Sequence, residues 1–258
     1  MQFDGEVALI VGGGSGMGEA AAELLSERGA TVVVADLAGD RAAAIADRLV
    51  KRGRSAMGIS VDVTSPESVS ACVARAVETF GGLDVLIHTA GITQVKKALD
   101  ITYQDLKTMV EVDLYGPFLM CQQVAKHMVD RGRGGRIALV ASIAGLSGNP
   151  GCAHYNAAKH AVVGMTKAFA IEWGPFGIRV NCLCPGTTLT PMLAGANVDV
   201  TRIPLGKAGT AVDQANALAF LVGPESGHIT GTVLVVDGGS LAITGHVPTP
   251  ALTALARA

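Results

Sequence analysis

The chain has 258 residues, of which 49% are hydrophobic and 16% charged, and its formal net charge is −2. This length fits one large α/β domain, and the composition favours a large buried core over disorder. The charge gives no reason to expect nucleic acid or a membrane surface as a partner, and we expect neither a secretory signal nor an apolar run of roughly 18 residues that could span a bilayer.

Short segments rich in Val, Ile and Leu alternate with helix-like segments along the chain. The apolar segments predict seven strands, at 7–11, 31–35, 56–61, 84–88, 136–142, 178–184 and 232–236. The segments between them predict helices at 16–28, 40–52, 66–80, 103–131, 155–173 and 211–222. This alternation predicts an α/β fold with a doubly wound parallel sheet and helices on both faces. We expect one domain over 1–258, with 241–258 as a short C-terminal tail.

A glycine-rich segment, 12–18 with the sequence GGGSGMG, lies between the first predicted strand and the first predicted helix. Glycine permits a tight turn and lets the backbone approach a pyrophosphate, while the helix N-terminus offers free N–H groups and a positive dipole end. This context predicts a dinucleotide site, with a ligand-free turn as the alternative. The candidate residues are Gly12, Ser15, Gly16, Met17 and Gly18.

Asp36 ends the second predicted strand, where its carboxylate can accept hydrogen bonds from the hydroxyls of an adenosine ribose. The same carboxylate repels a 2′-phosphate, Leu37 follows it, and no Lys or Arg lies in 12–18, so the sequence favours NAD over NADP. Asp62 and Val63 follow the third strand and are predicted to lie at the adenine. An ordinary strand-end role for Asp36 and a turn-forming role for Asp62 are the alternatives.

Tyr155 and Lys159 are four residues apart and therefore share one face of a predicted helix. An ammonium beside a phenol stabilises the phenolate, so such a tyrosine can act as an acid or base near neutral pH. Ser142 ends an apolar strand upstream and could hold a substrate oxygen. Taken alone, each of these three residues is better explained by a structural role than by a catalytic one. Together, downstream of the glycine-rich segment, they predict hydride chemistry on a carbonyl or alcohol.

These motifs, with Ala90-Gly91, Pro185-Gly186 and the closing triplet 237–239, resemble the classical short-chain dehydrogenases/reductases (SDRs) over about residues 5–240. The resemblance implies a Rossmann-like single domain with seven parallel strands, dependence on NAD(P), and a homotetramer or homodimer. It also implies that Ser142, Tyr155 and Lys159 form the catalytic trio. The residues that it implies at the cofactor are Ala90, Gly91, Tyr155, Lys159, Pro185, Gly186, Thr188 and Thr190.

The chain departs from the family pattern at three places. Val11 stands where a Thr is common, and His88-Thr89 stand where the family usually has Asn residues. Asp113 occupies the position of the fourth catalytic residue, an Asn that in the family supports a helix distortion and holds a water next to the Lys. Asp113 keeps acceptor oxygens, loses the amide donor and adds a charge near Lys159.

Residues 143–152 and 191–203 are expected to frame the substrate, with few charges. The predicted substrate contacts are Ser142, Ile143, Asn149, Cys152 and Tyr155, within a mixed pocket that also includes Leu146, His154, Leu189 and Met192. A small or medium secondary alcohol, such as a sugar, polyol, cyclic alcohol or hydroxy acid derivative, fits this pocket. An NADPH-dependent 3-oxoacyl thioester reductase and a non-catalytic dinucleotide-binding protein are the alternatives.

Two further expectations concern the surroundings of the chain. The predicted helix 155–173 is apolar on nearly all faces, which predicts that one face packs on a second subunit. The five cysteines include no CxxC pair, so we expect reduced thiols in the cytoplasm, and no His/Cys cluster has the spacing of a metal site.

Overall fold

The computed structural model describes residues 2–195 and 198–242. Its main feature is a seven-stranded parallel sheet in the order β3-β2-β1-β4-β5-β6-β9, which confirms the predicted fold class. The strands are β1 Val7–Val11, β2 Thr31–Asp36, β3 Ala56–Ser60, β4 Val85–His88, β5 Gly135–Val140, β6 Ile178–Pro185 and β9 Val233–Val236. Two short strands that the sequence did not predict, β7 Thr188–Leu189 and β8 Gly209–Thr210, pair beside it.

Helices cover both faces of the sheet, and each face has its own hydrophobic core. The helices are α1 Gly16–Glu27, α2 Gly39–Lys51, α3 Pro66–Phe80, α4 Tyr103–Val110, α5 Gly116–Arg131, α6 Ala153–Trp173 and α7 Ala211–Val222. In β4, Leu86 joins one core, while Val85 and Ile87 join the other. Burial on both faces explains why the strands read as continuous apolar runs without alternation.

The single helix predicted over 103–131 is wrong, because a π-helical turn, Glu111–Tyr115, separates α4 from α5. Pro117 has no backbone N–H and its ring crowds the carbonyl four residues earlier, which belongs to Asp113. A wider turn relieves this crowding. Such π turns frequently occur at functional sites, and this one carries Asp113, whose side chain is completely buried.

The direction of the chain across the sheet reverses at β1, which pairs with β2 on one side and β4 on the other. In doubly wound sheets a crevice opens at such a point, outside the carboxyl ends of the strands. The candidate residues of the site follow β1, β2, β3, β4, β5 and β6, so the topology gathers them at one edge.

Of the predicted tail, residues 243–258 lie outside the described part of the chain. Within the described residues, no helix has both the length and the hydropathy needed to cross a membrane.

Candidate active site

A cavity of about 330 Å³ opens at the point where the sheet reverses direction. It is lined by twelve of the residues predicted to bind the cofactor: Gly12, Ser15, Gly16, Met17, Gly18, Asp36, Leu37, Asp62, Val63, Ala90, Gly91 and Thr190. Sequence reasoning missed Arg41, Thr64, Ile92 and Val112, which also line it. These four lie on helices or loops beyond the strand ends, where no glycine or strand-end pattern points to them.

The glycine-rich turn is required by close packing between the end of β1 and the loop after β4. Gly12 has a φ of +78°, and a Cβ there would lie 2.5 Å from the backbone nitrogen of Ala90. A Cβ on Gly18 would overlap the carbonyl oxygen of Gly12. Ser15 precedes α1 without capping it through its side chain, so the first N–H groups of the helix remain available to a phosphate. This cradle fits a dinucleotide.

Thr89 compensates for the Thr that the family often has at the position of Val11. Its hydroxyl lies 2.9 Å from the carbonyl oxygen of Val11 and 3.2 Å from that of Gly12, and it donates to these carbonyls across the junction of β1 and β4. Val11 has no side-chain hydroxyl, so it cannot make the turn hydrogen bond that a Thr would make there. Thr89, just after the neighbouring strand β4, supplies a hydroxyl instead.

Asp36 is buried at the end of β2, lines the cavity and organises the turn beside it. Its Oδ2 accepts a hydrogen bond from the N–H of Gly14 at 2.9 Å, and its Oδ1 accepts one from the N–H of Ala38 at 3.0 Å. Arg41 approaches the same Oδ1 to 3.4 Å, but its side chain is 56% exposed. The carboxylate is thus held in place at the cavity wall with an exposed cation beside it.

Asp62 lines the cavity and also makes a turn, so both interpretations of its sequence position have support. Its Oδ1 accepts hydrogen bonds from the backbone N–H of Thr64 at 2.9 Å and from the hydroxyl of Thr64 at 2.7 Å. Val63, the next residue, is buried.

Lys159 and Asp113 form a buried ion pair beneath the loop that follows β4. Lys159 Nζ lies 2.9 Å from Asp113 Oδ2, and Asp113 Oδ1 accepts a hydrogen bond from the N–H of Ile92 at 2.8 Å. Burial alone would lower the pKa of Lys159, but the Asp113 carboxylate and, more weakly, Tyr155 outweigh it and raise that pKa above its usual range. The Lys159 side chain is therefore a fixed ammonium at neutral pH.

His88 ends β4 close enough to Lys159 to respond to its charge. Burial is the main cause that lowers the pKa of His88 to about 3, and the positive charge of Lys159 adds to the effect. Its Nε2 is buried and has no hydrogen-bond partner among the described residues. The imidazole is therefore neutral under ordinary conditions, so it adds no second cation beside Lys159.

Tyr155 and Lys159 share one face of α6, as predicted, and Lys159 Nζ lies 5.5 Å from the centroid of the Tyr155 ring. Tyr155 is only half-buried, so its phenol remains accessible. Ser142 follows β5, and its Oγ accepts a hydrogen bond from the N–H of Ala144 at 3.1 Å. Because this bond uses Oγ as an acceptor, the O–H group of Ser142 can still donate a hydrogen bond to a substrate oxygen.

The other predicted contacts lie around this trio with different exposures. Ile143 and Cys152 are half-buried, whereas Asn149 is exposed. Thr188 is buried; its hydroxyl donates to the carbonyl of Gly186 at 3.0 Å and accepts from the Gln214 amide at 3.2 Å. It is therefore engaged inside the protein, and Thr190 supplies the hydroxyl that lines the cavity.

Pro185 is the last residue of β6, and Gly186 continues from it against β9. A Cβ on Gly186 would lie 2.7 Å from atoms of Asp237, the first residue of the closing triplet. The two motifs are thus packed on each other. Neither Pro185 nor Gly186 lines the 330 Å³ cavity.

The described residues contain no group of three or more His, Cys, Asp or Glu side chains placed to hold a metal ion. The arrangement offers instead a cradle for a dinucleotide, a phenol next to a fixed ammonium, and a hydroxyl donor. These groups can hold an oxygen atom of a substrate and move one proton to or from it.

The chain is similar to several known dehydrogenases and reductases. A family profile described as Enoyl-(Acyl carrier protein) reductase matches residues 12–240. A 3-alpha-(or 20-beta)-hydroxysteroid dehydrogenase of Mycobacterium tuberculosis is 39% identical, over 94% of this chain and 92% of its own length. A trans-4-hydroxycyclohexanecarboxylate dehydrogenase of Sinomonas cyclohexanicum is also 39% identical, over 92% and 93%.

A solved structure shows the same likeness. A short-chain type dehydrogenase/reductase from Mycobacterium marinum superposes with a TM-score of 0.90 at 33% identity, over 94% of this chain and 98% of that one. Fold, site and comparisons together define an oxidoreductase that acts on hydroxyl or keto groups. The chain belongs to the short-chain dehydrogenase/reductase family, which uses nicotinamide dinucleotide cofactors. The resemblance seen in the sequence is confirmed.

Proposed function

We propose that this protein is an NAD-dependent oxidoreductase that interconverts a small or medium secondary alcohol and its ketone, with Tyr155 as the acid and base. A sugar, a polyol, a cyclic alcohol or a hydroxy acid derivative fits this description. The observation that carries the proposal is the ammonium of Lys159, fixed by Asp113 at 2.9 Å and placed 5.5 Å from the Tyr155 ring.

In the oxidative direction, Tyr155 as phenolate takes the proton of the substrate hydroxyl. Ser142 donates a hydrogen bond to the substrate oxygen and orients it. The Lys159 ammonium lies 5.5 Å from the centroid of the Tyr155 ring, and its positive charge attracts the phenolate that forms when Tyr155 gives up its proton. Bound NAD supplies the hydride acceptor. Tyr155, Lys159 and the segment 90–92 are the residues that would hold its nicotinamide end.

The preference for NAD rests on Asp36, whose buried carboxylate faces the cavity and disfavours a second negative charge there. Arg41 is the competing influence, because its exposed guanidinium could turn from Asp36 towards a 2′-phosphate. Fluorescence titrations with NADH and NADPH test this choice. Tighter binding of NADH supports the assignment, and tighter binding of NADPH overturns it.

A second candidate is an NADPH-dependent reductase of 3-oxoacyl thioesters, and one comparison favours it. A 3-oxoacyl-acyl-carrier-protein reductase FabG of Vibrio cholerae is 37% identical over 93% of this chain and 98% of its own length. Reduction of a 3-oxoacyl thioester with NADPH, faster than oxidation of any alcohol with NAD, would favour this candidate.

We also propose that the protein works as a homotetramer or homodimer in the cytoplasm. Exposed apolar side chains occur along α5 and α6, at Phe118 and Ile171, and Phe176 lies just beyond α6. Their exposure fits a helical face that a second subunit covers. The cysteines are free, at positions 72, 121, 152, 182 and 184, which fits a reducing compartment.

The direct test is a screen of diverse alcohols and ketones, in which NADH absorbance is followed with the purified protein. The Tyr155→Phe variant is the control. Turnover that depends on Tyr155 supports the proposed function. A biological activity that Tyr155→Phe leaves unchanged would instead indicate a non-catalytic dinucleotide-binding protein.

A further inference from the structure

Four large apolar side chains stand exposed at the edge of the sheet that carries the catalytic residues. Val95 follows β4, Leu146 follows β5, and Leu189 and Met192 follow β6. Their exposed fractions lie between 40% and 81%. Exposed apolar side chains are unremarkable singly, but several that follow the carboxyl ends of three neighbouring strands, β4, β5 and β6, indicate a binding surface at that edge. Met192 also lines the 330 Å³ cavity. We name these four residues the apolar rim.

The segment that carries Val95 is fixed to the beginning of α6. The N–H of Lys96 donates to the carbonyl of Gly151 at 2.8 Å, and the side chains of Gln94 and His154 are hydrogen-bonded at 2.8 Å. A Cβ built on Gly151 would lie 3.2 Å from Val95 Cγ1, so the two residues are in contact. This part of the rim is therefore formed before a substrate arrives. Its anchors, Gly151 and His154, lie four residues and one residue before Tyr155 in the chain.

Two of the cations near the catalytic edge are paired with carboxylates. Lys96 Nζ lies 2.6 Å from Asp105 Oδ2, and Lys159 is paired with Asp113. A thioester of coenzyme A or of an acyl carrier carries phosphate groups, which bind well only where unpaired cations meet them. Lys97 is the exposed cation that remains on this segment. An uncharged apolar substrate needs no unpaired cation in order to bind.

The rim also disfavours substrates with many hydroxyl groups. A polyol or sugar that covers apolar side chains loses water from its hydroxyls and gains no hydrogen bonds in return. An apolar ring covers the same side chains and removes apolar surface from water on both partners. The two effects act in the same direction, so the rim discriminates by the polarity of the substrate body while Ser142 and Tyr155 bind its one oxygen.

We propose that the apolar rim makes this enzyme select a secondary alcohol or ketone carried on an apolar ring, over polyols, sugars and acyl thioesters. The inference rests on the proposed function. In the oxidation, the carbinol carbon gives its hydride to NAD⁺ and the hydroxyl proton goes to Tyr155. The products are the ketone, NADH and a proton.

The test compares kcat/KM for cyclohexanol, sorbitol and 3-hydroxybutanoyl-coenzyme A on the full-length protein, with NAD⁺ in each case. Cyclohexanol is expected to exceed each of the others by at least about tenfold. Val95→Ser and Leu146→Ser are each expected to lower kcat/KM for cyclohexanol about three- to tenfold, chiefly through KM. Leu99→Ser is the matched control, because Leu99 is fully exposed on the same loop and makes no contact with the rim segment in the structure.

The outcomes separate this inference from the proposed function. Faster turnover of sorbitol or of the thioester, still dependent on Tyr155, overturns the selectivity and leaves an alcohol dehydrogenase. Val95→Ser and Leu146→Ser proteins that retain the full kcat/KM for cyclohexanol overturn the role of the rim. No Tyr155-dependent turnover of these three compounds, while a polar alcohol of the wider screen is turned over, overturns the selectivity alone. No Tyr155-dependent turnover of any alcohol or ketone in that screen overturns both proposals.

Discussion

Asp113 Oδ2 lies 2.9 Å from Lys159 Nζ, while Asp113 Oδ1 accepts a hydrogen bond from the N–H of Ile92 at 2.8 Å. One buried carboxylate therefore connects three elements: the π-helical turn, the helix that carries Tyr155, and the loop that borders the cofactor cavity. The family's Asn could bond to the same loop, but it could not form an ion pair with the lysine. In this chain the position of Lys159 depends on charge as well as on hydrogen bonding.

Replacement of Asp113 by Asn is expected to lower the free energy of unfolding by about 3 kcal/mol at pH 7, because it leaves a buried ammonium without its counter-charge. Urea unfolding measures this change. Lys107→Gln is the control, since it breaks the exposed pair of Lys107 with Glu111 at 3.6 Å and should cost less than about 1 kcal/mol. Equal stability of Asp113→Asn and wild type would contradict the ion pair.

The same pair has a predictable dependence on pH. The pKa of Lys159 in the folded protein lies above its ordinary value of 10.5. The stability that the pair contributes is therefore complete below that ordinary value and is lost as the pH rises through the higher, folded value. The stability difference between wild type and Asp113→Asn should accordingly shrink in strongly alkaline solution. If the stability difference between the two proteins grew as the pH rose, it would contradict a raised pKa of Lys159 in the folded protein.

His88 should make the protein less stable in acid. The folded pKa of about 3 lies below the ordinary 6.5, so between these values the unfolded chain binds the proton and the folded protein does not. Stability is therefore lost as the pH falls. His88→Asn is expected to flatten the slope of unfolding free energy against pH by up to about 1.4 kcal/mol per unit. The matched control is His160→Asn, which replaces an exposed histidine by the same residue.

The dependence on acid is measured by urea unfolding at several pH values between about 4 and 6. In this range the unfolded chain binds a proton at His88 and the folded protein does not. The slope is the informative quantity, because a change in absolute stability alone would report only on packing. A slope that is the same in His88→Asn and wild type would mean that His88 is protonated in the folded protein.

The close packing of the glycine-rich turn predicts that Gly18 tolerates no side chain. Gly18→Ala puts a Cβ against the carbonyl oxygen of Gly12 and should cost about 1–3 kcal/mol of stability, with weaker NADH binding. Gly174→Ala is the matched control, because a Cβ at Gly174 meets open space. Thermal unfolding and NADH titration of both variants make the comparison. Unchanged cofactor binding in a stable Gly18→Ala protein would argue against this cradle.

Asp36→Asn tests the choice of cofactor. The neutral amide loses the charge that attracts ribose hydroxyls and repels a 2′-phosphate, so the ratio of NADPH to NADH dissociation constants should fall by about tenfold. Asp62→Asn, at another wall of the same cavity, should leave this ratio unchanged. A fall of equal size in both variants would show that the selectivity arises from the overall charge of the cavity and not from Asp36.

The sequence predicted the sheet and most of the site because these depend on local patterns. Continuous apolar strands, the glycine-rich turn and the spacing of Tyr155 and Lys159 each reflect packing within a few residues, and parallel topology then brings strand ends together. It identified Asp113 as the departure that bears on chemistry, but not the ion pair itself, since that needs the distance between two side chains 46 positions apart in the numbering of the chain.

The π turn was missed although Pro117, four residues after Asp113, is a local signal of a helix interruption; the apolar pattern of this segment is otherwise helical. Two other features depended on contacts that no local pattern shows. Arg41 reaches the cofactor cavity from α2, where a basic residue usually indicates only a solvated face. The hydroxyl of Thr188 is used internally by Gln214, a partner on α7. Tertiary contacts determine both.

The most direct measurement is the steady-state kcat of wild type and Tyr155→Phe for NAD⁺-linked oxidation of a substrate found in the alcohol screen, together with an NADH titration of both proteins. We expect kcat to fall at least about 100-fold in Tyr155→Phe. The dissociation constant for NADH should change little, because the cradle formed by 12–18 is intact. Turnover by Tyr155→Phe at a rate close to that of wild type would contradict the central role of Tyr155 as acid and base.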